Sequence, residues 1–110
     1  MTRQIEFAGK SGNMYRYVTL EEERYLPPAG ANYVIAQITP VGTRILYAGE
    51  TERLSAREWE STLVTARAQA GAEPGATEVL TRLNVRAAVR KAEREDLIEQ
   101  HNPPLNAGAI

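Results

Sequence analysis

Two short runs rich in Tyr, Val and Ile, Asn32 to Ile38 and Arg44 to Ala48, lie either side of Thr39-Pro40-Val41-Gly42-Thr43. β-branched and aromatic residues suit a pleated, half-buried surface, and a Pro/Gly-bearing break of this length closes a hairpin. The chain is therefore expected to contain an antiparallel strand pair with Tyr33 and Tyr47 on neighbouring strands. Tyr47 is followed by Ala48-Gly49-Glu50-Thr51, with Arg57 eight residues beyond Gly49. A phenol and a guanidinium presented from adjoining elements can surround one phosphate.

The remaining elements follow from pattern. Arg3 to Phe7 and Met14 to Leu20 alternate as strands across the turn-forming Gly9-Lys10-Ser11-Gly12-Asn13. Gly9-Lys10-Ser11 is not a phosphate loop, because Gln4 stands where the upstream Gly is required. Glu21 to Arg24 and Leu26 to Gly30 read as a polar, proline-bearing connector. Ser55-Ala56-Arg57-Glu58 has the spacing of a capping box and predicts a helix to about Gln69 with Arg57 in its first turn. Gly71 to Ala76 ends it. A strand over Thr77 to Leu83 and a helix over Arg86 to Gln100 follow, and the helix must stop before Pro103. The expected fold is a small α+β domain: a mainly antiparallel sheet, two flanking helices and an extra N-terminal β-hairpin.

Composition narrows the classes. The chain has 110 residues, 43% hydrophobic and 25% charged, enough for one core and one globular unit. Residues 1–30 form the hairpin and connector and 31–110 the main domain. With zero Cys there is no disulfide scaffold and no thiolate zinc site. No apolar run approaches the ~20 residues that cross a bilayer, and the N-terminus lacks a signal pattern, so a cytoplasmic location is expected. A net charge of −1 argues against strong nonspecific nucleic-acid affinity, leaving local patches of Arg as the alternative.

Taken together, Tyr33 in Ala31-Asn32-Tyr33-Val34-Ile35, then Tyr47-Ala48-Gly49, Arg57 and the closing Leu97 to Asn106 segment resemble the GIY-YIG nuclease superfamily over about residues 31 to 106. The resemblance implies an endonuclease that cuts DNA phosphodiester bonds, with Tyr33, Tyr47, Arg57 and Asn106 as catalytic residues and Gly49 at the phosphate turn. It also implies one Mg²⁺ or Mn²⁺ held by a Glu. Arg94 occupies that Glu position here, Ala31-Asn32 replace the Gly and Ile of the first motif, and Ser61 stands where many members carry His or Tyr.

A displaced carboxylate is the substitute. Glu93 shares a helical stripe with Val89 and Leu97, so it either borders the cleft and binds the cation or pairs with Arg90 or Lys91. Glu50 is the second candidate. The competing expectation is a module of the same fold that binds nucleic acid or protein without catalysis, alone or as a homodimer. Arg57 then becomes an exposed partner of Glu60 or Ser61, and the tyrosines ordinary core residues. His101 is expected to meet helix-terminal carbonyls, and Trp59 and Leu63 to pack in the core.

Overall fold

A computed structural model describes residues 3–20, 26–70 and 76–107. Its elements are β1 (Gln4–Ala8), β2 (Met14–Thr19), β3 (Ala31–Thr39), β4 (Gly42–Thr51), a 3₁₀ turn (Leu54–Ala56), α1 (Glu60–Ala70), β5 (Ala76–Leu83), α2 (Ala87–His101) and α3 (Pro104–Ala107). The fold is the expected α+β class: five antiparallel strands in the order β1-β2-β5-β3-β4. The connector over Glu21 to Arg24 and most of the expected Gly71 to Ala76 break lie outside the described residues. Among the described residues no helix is long and apolar enough to cross a membrane.

Strand alternation divides the core into two layers. Tyr33, Ile35 and Val79 meet Leu54, Trp59 and Ala66 on the α1 face. Val34, Ala36, Leu80, Phe7 and Tyr17 meet Leu97 on the α2 face. β5 pairs along its whole length with β3 and touches β2 only at Val18↔Thr81 and Thr19↔Leu80. The N-terminal hairpin thus extends the sheet. Its loop is fastened to α2 by Asp96, which accepts hydrogen bonds from the Ser11 amide (2.8 Å), Ser11 Oγ (2.6 Å) and Tyr15 Oη (2.7 Å). Those bonds hold the Asp96 carboxyl below its ordinary pKa, the Ser11 hydroxyl contributing most.

The helix predicted from Ser55 does not form there. Arg57 is left-handed (φ 53°), separating the 3₁₀ turn from α1, and the Ser55 amide donates to the Pro27 carbonyl instead of taking part in a capping box. The physical reason is burial: Leu54 is 2% and Trp59 5% exposed. On one continuous helix, residues five apart diverge by about 140°, so both reach the same core only if the chain breaks between them. β4 is also longer than expected, and Gly49 lies inside it, not at its exit.

Candidate phosphate-binding face

Tyr33 and Tyr47 do lie together. Ile35 pairs with Tyr47 and Tyr33 with Gly49, which places all four on the α1 side of the sheet. The phenol rings are 6.1 Å apart between centroids and inclined by 31°. Gly49 makes this possible through space, not through a positive φ, which it does not have. A Cβ at Gly49 would stand 2.5 Å from Tyr33 Cζ and 2.8 Å from Tyr47 Cε2.

Burial pushes the Tyr33 hydroxyl well above the usual phenol pKa. The Tyr47 phenol and the Glu58 carboxylate add to the rise, while the Arg94 guanidinium opposes it. Tyr33 therefore keeps its proton near neutrality and is not a base there. Glu58 itself accepts from Thr51 Oγ1 at 2.6 Å, the role it takes in place of capping.

Asn106 clamps the site from the edge. β4 is the last strand of the sheet, so the outward N–H and C=O of Ala48 have no strand partner. Asn106 Oδ1 accepts from the Ala48 amide (2.8 Å) and Nδ2 donates to the Ala48 carbonyl (2.9 Å). Its neighbour Leu105 packs against the α1-side core, as Tyr47 does. Asn106 thus fixes the residue between Tyr47 and Gly49 and acts through them.

Arg57 is half-buried, with its guanidinium 5.7 Å from the centre of the Trp59 ring. Trp59 belongs to the same cluster as Tyr33 and Tyr47, so Arg57 shares their side of the sheet. The Trp59 indole N–H is buried without a hydrogen-bond acceptor. Neither Glu60 nor Ser61 engages Arg57 among the described residues. Arg94 is half-buried too, and it likewise has no ion pair or hydrogen bond among the described residues.

Glu93 is placed elsewhere. It is 3% exposed, accepts from Tyr17 Oη at 2.6 Å and pairs with Arg82 Nε at 3.1 Å. Glu93 and Leu97 face the sheet as the spacing predicts, while Val89 at the head of the stripe is exposed; Glu93 meets the α2 side, opposite Tyr33 and Tyr47, and its partner is neither Arg90 nor Lys91. Glu50 is held by Arg90 Nε at 2.7 Å. No group of three or more His, Cys, Asp or Glu able to hold a metal ion occurs among the described residues. The donor set does not fit a divalent cation. His101 is also displaced from its expected role: its Nε2 meets the Ala8 carbonyl on β1 at 2.8 Å, with its ring edge-on to Phe7.

This face gathers two phenols, the Arg57 guanidinium, the Glu58 carboxylate that acts on Tyr33, and a strand pinned by the Asn106 amide. In the sequence Arg94 stands out both as the residue in place of a Glu and as one of the arginines of a local basic patch. The available signal was its charge: a cation beside two phenols favours an anion, whereas a Glu there would favour a metal. Comparison with family models, curated proteins and solved structures gives no match.

Proposed function

We propose that the protein binds the phosphodiester backbone of DNA on the α1 side of its sheet without cutting it. The observation that carries this reading is the state of its buried and half-buried arginines. Arg82 and Arg90 are each matched to a glutamate, while Arg57 and Arg94 are not; Arg57 shares the tyrosine side through Trp59, and the Arg94 charge on α2 acts on the Tyr33 hydroxyl. An unmatched guanidinium offers a planar fork of N–H donors suited to phosphate oxygens. The phenols add neutral donors. The slight overall acidity keeps the attraction local.

The metal-dependent endonuclease is the second reading. The paired tyrosines, Arg57 and the Asn106 clamp favour it, since each matches a role in the superfamily that the sequence resembles. A Mg²⁺ or Mn²⁺ would need carboxylates that here are occupied by Tyr17, Arg82 and Arg90.

Fluorescence anisotropy of a labelled duplex in EDTA, followed by incubation with Mn²⁺, separates the two. Binding is expected in EDTA, weakened several-fold by Arg57→Ala and by Arg94→Ala, with no strand cleavage on adding Mn²⁺. Cleavage that requires Mn²⁺ and disappears in Tyr47→Phe would establish the nuclease reading instead. Affinity unchanged in both arginine variants would remove the binding face.

A further inference from the structure

Resting on the phosphate-binding reading of the α1 side, we infer that Trp59 is a second ligand-contacting residue there: its indole N–H donates to the same phosphate that the Arg57 guanidinium takes. The two side chains are within cation–π range, with Arg57 Cζ 5.7 Å from the centre of the Trp59 ring. Neither has an acceptor among the described residues. Trp59 is 5% exposed and its Nε1 is buried without a hydrogen-bond partner. The Arg57 side chain has no ion pair or hydrogen bond among the described residues. A guanidinium only donates, and so does an indole N–H, so the two cannot satisfy each other. The carboxylate between them in sequence, Glu58, is committed to Thr51 Oγ1 at 2.6 Å.

The backbone is bent at the same point. Arg57 is left-handed (φ 53°, ψ 41°), a conformation that L residues other than Asn and Asp adopt at a cost. The bend that brings Leu54 and Trp59 into one core also lays the guanidinium over the indole. A strained arginine, a cation with only an aromatic face beside it and a donor cut off from water thus coincide. Strain and unmet buried donors together mark a place where a ligand completes the bonding. The group that satisfies both donors is an acceptor with negative charge and several lone pairs, as a phosphodiester oxygen is. Arg57 is only half-buried. Turned outward to a phosphate, its guanidinium uncovers the ring it lies over, and the N–H gains its acceptor.

The chain has a single Trp, so the indole N–H gives one resonance of its own and the ring can be exchanged without touching another residue. On titration of isotope-labelled protein with a short DNA duplex in EDTA, that resonance is expected to move downfield until the duplex saturates. Benzothienylalanine in place of Trp59 keeps the shape of the ring and puts sulfur where the N–H was. It is expected to weaken duplex binding about tenfold, through loss of a hydrogen bond to a charged acceptor. The slope of log affinity against log salt stays at the wild-type value, because a neutral donor releases no counterion, whereas Arg57→Ala lowers it by about 0.9. Without DNA the exchanged protein is at least as stable as the wild type, since a buried donor with no partner has been removed.

Should the exchanged protein fail to fold, Trp59→Phe is read in the same way by affinity and slope. An indole resonance unmoved at saturating DNA, or wild-type affinity in the exchanged protein, overturns the inference and leaves the Arg57 face standing as long as Arg57→Ala still weakens binding. A lower Tm in the exchanged protein without DNA would mean that the N–H already has an acceptor, and overturns it too. Wild-type affinity and slope in Arg57→Ala overturn the binding reading itself, and this inference with it.

Discussion

Replacing Glu93 with alanine is expected to lower the stability of the domain by on the order of 2–4 kcal/mol, with no dependence on divalent cations. The carboxylate is the acceptor for Tyr17 Oη, and Tyr17 is fully buried. Burial first and the Glu93 charge second push the Tyr17 hydroxyl far above the usual phenol range, so it stays a proton donor and would be stranded without its acceptor. The Arg82 part is smaller: its side chain is 38% exposed, so a released guanidinium turns to water and the ion pair is discounted accordingly. In thermal unfolding a loss of this size lowers Tm by roughly 10 °C or more for a domain near this length. An unchanged Tm would contradict this structural role, and a Mg²⁺-induced stabilisation of the wild type that the variant lacks would make Glu93 a metal ligand after all.

Gly49→Ala is expected to damage the tyrosine face directly. The added methyl would overlap the Tyr33 and Tyr47 rings, and Tyr33, 5% exposed and packed with Leu54 and Trp59, has little freedom to retreat. Overpacking of this kind costs about 1–3 kcal/mol. The larger effect is on function, since separating the rings and shifting β4 should reduce duplex affinity at least tenfold, or about 1.4 kcal/mol. Paired measurement of Tm and anisotropy checks both. A fully folded Gly49→Ala protein with wild-type affinity would show that the close approach of the rings is irrelevant to binding.

Where the pattern of the chain was strong, the structure follows it. The alternation of both hairpins and the helix stopping before Pro103 correspond to β1 to β4 and α2, with ends shifted by at most three residues. Gly49 lies within the strand that carries Tyr47 and Asn106 sits against that strand at Ala48. What was not legible depends on contacts between distant segments. The left-handed break at Arg57 arises because Leu54 and Trp59 compete for one core, which the capping-box spacing cannot register. The extension of β4 through Glu50 and Thr51 requires Asn32 and Ala31 as strand partners. Glu93 illustrates the same limit for the site. A helical stripe shows that a residue faces a sheet but not which side of the sheet, and only the position of β5 between β2 and β3 sets α2 against Tyr17. The four-residue α3, which carries Asn106, leaves too short a pattern to read at all.

The most direct test of the account is a titration of isotope-labelled protein with a short DNA duplex in EDTA, read by amide chemical shifts. Shifts concentrated at Tyr33, Tyr47, Gly49 and Arg57, together with Arg94, are the predicted result, with the Ser11 to Tyr15 loop and its Asp96 anchor unmoved. Shifts centred instead on that loop and the opposite side of the sheet, or none at saturating DNA, would contradict it.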